Sequence, residues 1–223
     1  MRQTVAADET ILWIAHDDCA SLPQSVVRLQ QDGLSIRTCA DLRSYNKIIP
    51  ALEAFPAATI VTADDDLYYP RTWLQTLLSS RMAGVREVLC HRARRIAREG
   101  ARLAPYKSWK AVRRGGAPSQ LLFPLGVGGV LYPPGVLDGR VADITAFKQL
   151  CPTGDDIWLH WMRSLAGAPA RCVGSGYDFA PWLGSQQKSL WSHNGTGGND
   201  RQIANMIEAF GWPEDQVEKS RGR

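Results

Sequence analysis

The first ninety residues alternate between short runs of consecutive apolar residues and stretches in which apolar residues recur at helical spacing. Short apolar runs are typical of buried strands, and a 3.6-residue spacing is typical of amphipathic helices. The pattern predicts strands at 11–15, 34–39, 58–62 and 87–90, and helices at 22–32, at 45–55 and from Pro70 onward. Such an alternation predicts an α/β fold with a mostly parallel sheet flanked by helices.

The pattern changes after Cys90. Residues 91–119 are rich in Arg and Lys, contain Gly and Pro, and show neither period clearly, which predicts an irregular or β-ribbon insertion. Two later helices have clear apolar faces, at 155–166 and 199–210. We therefore expect a single domain over residues 1–213 and a flexible tail over 214–223.

Composition narrows the class of protein. The chain has 223 residues, of which 44% are hydrophobic and 22% charged, and these values exclude a disordered or fibrous chain. No apolar run approaches the roughly 20 residues of a membrane helix, and the N-terminus lacks the pattern of a secretory signal. We expect a cytoplasmic protein. The five cysteines are odd in number and include no CxxC pair, which predicts mostly buried thiols, without a disulfide framework or zinc site.

Charge is unevenly distributed along the chain. Residues 81–114 contain eleven Lys or Arg and two Glu, a local charge of +9, whereas the net charge of the protein is +4. We call this stretch the basic sector. Such a sector attracts anions, which include nucleotide phosphates, nucleic acid and acidic lipid headgroups at a membrane surface.

Three consecutive carboxylates, Asp64, Asp65 and Asp66, directly follow the predicted strand at 58–62. In a parallel sheet this position opens into a crevice at the carboxyl ends of the strands. Adjacent carboxylates repel one another unless a cation neutralises them, and hard oxygen ligands suit Mg²⁺ or Mn²⁺ holding a diphosphate. The alternative is a solvated acidic turn that caps the following helix.

A second acidic pair, Asp155 and Asp156, opens the helix predicted at 155–166. We expect one of the two to cap that helix, and the helix dipole keeps such a carboxylate ionised as a potential base. Asn199 and Asp200 have the same position in the last helix, and a cap is again the simplest interpretation.

Two further segments have the composition of binding loops. Gly126–Gly135 contains four glycines and two prolines, which allow either close approach of the backbone to a ligand or a tight structural turn. His193 lies in a loop rich in Gly and Asn, where it is either an additional ligand for an acidic metal site or a hydrogen-bonded histidine without a ligand.

Together these motifs resemble a known family. The chain is similar to bacterial nucleotide-sugar-dependent glycosyltransferases of the GT-A fold, particularly the family-2-like enzymes of capsule and surface polysaccharide synthesis. The resemblance covers about residues 10 to 212 and depends on four segments in the same order: DLRSYNKIIPALEAFPAATIVTADDDLYYPRTWL, LGVGGVLYPPG, CPTGDDIWL and NGTGGND.

The resemblance implies a DxD element at Asp64 to Asp66, where Asp66 binds Mn²⁺ or Mg²⁺ and Asp64 lies near the metal and near the ribose or the sugar of the donor. It implies that His193 completes the metal shell. The remaining donor contacts that it implies come from Asp65, Arg43, Lys47, Gly128 and Gly129.

Catalytic roles also follow from the resemblance. Asp156 would be the general base that deprotonates an acceptor hydroxyl during inverting transfer, and Asp155 would steer the acceptor. The family usually begins with a strand and a helix of the nucleotide pocket, whereas the strand at 11–15 here resembles the family's second strand. Either the gene start is shortened, or donor binding is lost, or another segment substitutes. We expect an unpaired sheet edge, either marginal stability or self-association, and weak donor binding.

The expected function is metal-dependent transfer of a sugar from a nucleotide-diphosphate donor to the hydroxyl of a glycan or lipid-linked acceptor, with peripheral contact to an anionic membrane. Nucleic acid is not an expected partner. One alternative is a sugar nucleotidyltransferase, although the N-terminus lacks a phosphate-binding loop. Another is a non-catalytic basic module that binds a membrane surface or nucleic acid, which leaves both acidic clusters unexplained.

Overall fold

The structure, a computed structural model, describes residues 3–100, 102–113, 115–174, 176–182 and 197–212. These residues form a mixed α/β fold. The strands are β1 (Thr10–Ala15), β2 (Leu34–Cys39), β3 (Ile60–Thr62), β4 (Leu67–Tyr68), β5 (Val88–Cys90), β6 (Ala93–Arg95), β7 (Arg98–Glu99), β8 (Arg102–Leu103), β9 (Lys110–Val112), β10 (Leu122–Pro124), β11 (Val130–Tyr132), β12 (Ala170–Cys172) and β13 (Ala180–Pro181). The α-helices are α1 (Gln24–Arg28), α2 (Ile49–Ala54), α3 (Trp73–Ser79), α4 (Ile144–Leu150), α5 (Asp155–Leu165) and α6 (Asn199–Phe210).

The central sheet has four strands in the order β12, β5, β11, β3. Strand β12 is parallel to β5, whereas β11 is antiparallel to both of its neighbours. The α/β class is therefore confirmed, but the sheet is mixed where the sequence predicted a mostly parallel one. The chain reaches β11 through the 91–119 insertion instead of a helical crossover, and an antiparallel strand does not require such a crossover.

Helix lengths differ from the prediction at two places. The helix predicted at 22–32 consists of α1 and a 3-10 turn at Leu29–Asp32, and it ends at Gly33, whose φ of 92° suits glycine. The helix predicted at 45–55 is a 3-10 turn at Arg43–Lys47 followed by α2. Proline restricts the residue before it and cannot donate a backbone hydrogen bond, so Pro50 lies in the first turn of α2.

The insertion forms a β-ribbon, as predicted. Strands β10, β6 and β9 make a three-stranded antiparallel sheet, and β7 pairs with β8. Beneath this sheet the rings of Tyr106, Trp109 and Phe123 pack against one another with centroid separations of 5.1–5.8 Å. The insertion therefore has its own aromatic support, and Arg95, Arg98 and Arg102 are exposed on it.

The main core surrounds α5. Its Trp158 and Trp161 side chains are fully buried, and the core extends to α4 and α6 through Phe147 and Met206. A smaller core cluster contains Trp73, Leu77 and Phe179 beside α3. All five cysteines are free, and Cys90, Cys151 and Cys172 are buried, which confirms the prediction of buried thiols.

The parallel pair β1–β2 contributes to neither core cluster in the described residues. Its apolar side chains, which include Ile11, Leu12 and Trp13, are only partly buried. None of the helices in the described residues is long and apolar enough to cross a membrane.

Candidate active site

A lysine joins the two acidic clusters that the sequence separates by ninety residues. The Lys47 Nζ atom lies 2.9 Å from Asp64 Oδ1 and 3.0 Å from Asp155 Oδ2. The three side chains keep only 21%, 24% and 11% of their surface exposed. Ion pairs that are shielded in this way are screened less by solvent than pairs on an open surface. Lys47 therefore brings the end of β3 and the start of α5 into one cluster.

Packing of the neighbouring residues fixes the position of Lys47. Tyr45 precedes it by two residues in the same 3-10 turn, and its hydroxyl donates a 2.7 Å hydrogen bond to the carbonyl of Cys151. The Tyr45 ring also stacks on Phe147 with a centroid separation of 4.0 Å. Because Tyr45 is buried and held at both its ring and its hydroxyl, the 3-10 turn is anchored beside the N-terminus of α5.

Burial and neighbouring charges shift the pKa values of Lys47 and Asp156. Burial disfavours the charged form of Lys47, but the carboxylates of Asp155 and Asp64 outweigh it and raise the pKa of Lys47 well above its usual range. Burial and the adjacent Asp155 raise the pKa of Asp156 to about 7, although Lys47 and the N–H of Gly126 favour its ionised form. The carboxylate of Asp156 is therefore a stronger base than that of an ordinary aspartate.

The glycine-rich segment borders this cluster. The Gly126 N–H donates a 2.9 Å hydrogen bond to Asp156 Oδ1, and a Cβ atom at Gly126 would lie 2.8 Å from Lys47 Nζ. Gly129 has a φ of 87°, and a Cβ atom there would lie 2.3 Å from the Trp73 ring. The side chain of Trp73 in turn donates a hydrogen bond to the carbonyl of Gly128. These glycines are required for close packing around the site.

Other residues that the sequence indicated lie around the same cavity. Asp65 is exposed and Asp66 is partly buried, and both line the cavity described below. Arg43 is exposed at the cavity wall with a φ of 56°, an uncommon value for a residue other than glycine. His193, the predicted additional metal ligand, and the predicted tail at 214–223 lie outside the described residues.

The predicted helix caps are wrong. The N-cap of α5 is Gly154 and that of α6 is Gly198, and no side chain caps either helix. Asp155 and Asp156 lie in the first turn of α5, where their carboxylates are directed to Lys47 and Gly126. Asp200 accepts a 2.7 Å hydrogen bond from the backbone N–H of Tyr106. These acids hold other segments in place instead of capping their own helices.

The described carboxylates do not by themselves form a metal site. Among the residues that the structure describes, no three His, Cys, Asp or Glu side chains are grouped so that they could hold a metal ion. The Asp64 carboxylate contacts the ammonium of Lys47 instead. A divalent cation would have to compete with Lys47 for Asp64.

A cavity of about 2470 Å³ opens beside the cluster. The three residues Asp64–Asp66 and the pair Asp155–Asp156 line it, as does Lys47. The cavity is also lined by all of β1 and by residues 58–61, which lead into β3. Strand β1 pairs with β2.

Sequence reasoning missed several aromatic residues of this cavity. The Tyr69 hydroxyl accepts a 2.8 Å hydrogen bond from the backbone N–H of Asp64 and so fixes the start of the acidic triplet. Tyr68 and Trp182 also line the cavity. The two consecutive tyrosines that follow the triplet by one residue were the available signal, because large aromatic residues beside a polar cluster are common in binding sites.

Comparisons of the chain with models of protein families, with curated proteins and with solved structures found no match.

Proposed function

We propose that this protein is a glycosyltransferase of GT-A type that moves a sugar from a nucleotide-diphosphate donor to a hydroxyl acceptor with inversion. The observation that carries the proposal is the meeting of Asp64 with Asp155 at Lys47, beside a cavity large enough for a donor and an acceptor. A transferase of this kind requires cationic and acidic groups in one site. The sequence motifs alone did not indicate that these groups are adjacent.

Asp156 is the proposed general base. The acceptor oxygen forms a bond to the anomeric carbon while the bond from that carbon to the diphosphate oxygen breaks. The diphosphate leaves with its electron pair, and the acceptor proton passes to Asp156. A pKa of about 7 suits this role, because the carboxylate is then ionised in a large fraction of molecules and still holds a proton well.

The proposed cofactor is Mn²⁺ or Mg²⁺. Because the described carboxylates alone do not fit a metal, the cation is proposed to arrive with the donor diphosphate and to use Asp66 and Asp64 as oxygen ligands. No step of the transfer is assigned to it. The cationic group that the described site does supply is Lys47, which contacts Asp64.

The proposed partners are a nucleotide-diphospho-sugar and a glycan or lipid-linked acceptor. The proposed location is the cytoplasm, with peripheral contact to an anionic membrane face. The support for that contact is a set of exposed cationic side chains on the insertion: Arg95, Arg98, Arg102, Lys107, Lys110 and Arg113.

Ligand binding and turnover test the proposal separately. Thermal unfolding is measured with UDP, GDP, CMP and dTDP, each with and without Mn²⁺, and a nucleotide at about a hundred times its Kd should stabilise the fold by roughly 2.7 kcal/mol. Asp66→Asn should abolish any Mn²⁺-dependent part of this stabilisation. Turnover is measured as nucleoside diphosphate released from UDP-glucose, GDP-mannose and dTDP-glucose.

Asp156→Asn should lower turnover by a factor of roughly 100 to 10,000 and leave nucleotide binding intact, because it removes only the base. Asp17→Asn, at an exposed aspartate that does not line the cavity, is the matched control and should behave like the parent. If no nucleotide stabilises the parent protein, or if Asp156→Asn turns over at the parental rate, the proposal is wrong.

A further inference from the structure

Two aromatic side chains form an exposed stack beside the acidic triplet. The rings of Tyr68 and Trp182 are parallel to within 4°, and their centroids are 4.9 Å apart. Tyr68 is 57% exposed and Trp182 is 51% exposed. By contrast, Trp109, Trp158 and Trp161 are fully buried. We call this pair the aromatic platform.

Backbone pairing holds the aromatic platform against the candidate active site. Tyr68 belongs to β4, which pairs with β13 in antiparallel register, and Trp182 directly follows β13. The backbone N–H of Trp182 donates a 2.8 Å hydrogen bond to the backbone carbonyl of Asp66. The platform is thereby attached to the last residue of the triplet.

The aromatic platform and the carboxylates face one cavity. Tyr68, Trp182, Asp66 and Asp156 all line it. Large apolar side chains exposed at the wall of a polar cavity are costly to leave in water and commonly mark a ligand-binding surface. A ligand that covers the platform therefore lies in the cavity that the carboxylates line, beside Asp66.

We propose that the aromatic platform binds a pyranose ring of the glycan acceptor. The faces of a pyranose ring carry C–H groups and its edge carries hydroxyls, so that an aromatic ring can cover the face while the hydroxyls stay in water. The inference rests on the proposed glycosyltransferase function and adds the acceptor subsite to it. A sugar bound here places a hydroxyl of the same or the next residue toward the carboxylates.

A nucleobase is the competing ligand, because bases also stack on aromatic side chains. The sugar is favoured because Tyr68 and Trp182 stack on each other and leave no slot between them that would enclose a base. Their outward surface is open to solvent over more than half of each residue, which suits one part of a longer chain of sugars.

Binding to immobilised oligosaccharides tests the proposal. The probes are maltohexaose and cellohexaose together with an array of bacterial polysaccharide fragments, and uridine and adenosine are the base probes. Trp182→Ala and Tyr68→Ala should each weaken oligosaccharide binding about tenfold or more, as the loss of an aromatic contact predicts. Trp182→Phe and Tyr68→Phe keep a ring and should retain most of the binding. Met82→Ala removes a similarly exposed apolar side chain outside this cavity and should have no effect.

Nucleotide binding is measured on the same variants so that failures of the two proposals can be distinguished. If the parent binds nucleotide but no oligosaccharide, or if Trp182→Ala binds oligosaccharide as the parent does, the aromatic platform is not an acceptor site. If uridine or adenosine binds in a Trp182-dependent manner and oligosaccharides do not, the platform is a base site and the inference is overturned. If oligosaccharides bind through Trp182 and no nucleotide binds, the aromatic platform is a sugar-binding site, but the transferase proposal fails and with it the assignment of the platform as an acceptor site.

Discussion

Two glycines beside the site, Gly126 and Gly129, have different neighbours. Substitutions at these two positions should therefore affect turnover and stability to different extents. At Gly126 an added Cβ atom would meet the end of the flexible Lys47 side chain at 2.8 Å and Asp156 Oδ1 at 3.0 Å. At Gly129 it would meet the ring of Trp73, which is buried and cannot move aside. A methyl group at Gly126 is therefore accommodated by displacing the charged cluster, whereas one at Gly129 must disturb the core.

Gly126→Ala should lose turnover, because Lys47 must shift away from Asp64 and Asp155 to make room, and it should lower the free energy of unfolding less than Gly129→Ala does. Gly129→Ala should lower the free energy of unfolding by about 2 kcal/mol or more, since overpacking costs about 1–3 kcal/mol and the positive φ adds about 1–2 kcal/mol. Urea unfolding and nucleoside diphosphate release, measured side by side, check both expectations.

The control for both is Gly116→Ala, since a Cβ atom there has no neighbour within 4 Å and the backbone φ is not in the left-handed region. It should match the parent in stability and turnover. A Gly126→Ala protein with parental turnover would show that Lys47 can leave the carboxylates without consequence.

At the scale of elements, the sequence predicted the strands and helices that have a strong local signal. The bounds of β2 and α6 agree with the prediction, and α5 differs from it by one residue. The direction of β11 and the existence of α4 were not predicted, because strand direction depends on contacts distant in sequence and α4 is only seven residues long.

The candidate site was predicted only in part, for a related reason. Both acidic clusters stand out in the sequence as runs of aspartate. Lys47 as their common partner could not be found from spacing, since it depends on how the 3-10 turn at Arg43–Lys47 lies against α5. The aromatic platform likewise depends on the pairing of β4 with β13.

The pair β1–β2 should be less stable than the central sheet. Its side chains contribute to neither core cluster, whereas Leu89 of β5 and Leu131 of β11 are completely buried. Elements with few buried apolar contacts open locally at a lower free energy than the core. Amides of β1 and β2 should therefore exchange with deuterium earlier than those of β5 and β11, as measured by hydrogen exchange with mass spectrometry. Equal protection of the two groups would contradict this expectation.

For the whole molecule, the basic sector creates an asymmetric field. Arg95 of β6 and Lys110 of β9 are directly opposite each other in the antiparallel register, and both are exposed. Like charges opposite one another destabilise a strand pair, and a bound anion would relieve the repulsion. The aromatic rings of the insertion are buried beneath its sheet, so that this surface offers charge without exposed rings for stacking on bases. An anionic membrane therefore suits it better than single-stranded nucleic acid.

The double variant Arg95→Gln/Lys110→Gln should bind phosphatidylglycerol-containing vesicles roughly thirtyfold more weakly than the parent, since each basic residue near an anionic surface contributes about 1 kcal/mol. The matched control, Arg28→Gln/Lys148→Gln, removes the same charge at exposed positions outside the basic sector and should bind nearly as the parent does. Cosedimentation at low and at physiological salt measures both, and binding should weaken as salt screens the charges. If the protein binds neutral phosphatidylcholine vesicles equally well, or if the two double variants lose binding equally, the basic sector does not direct the protein to an anionic membrane.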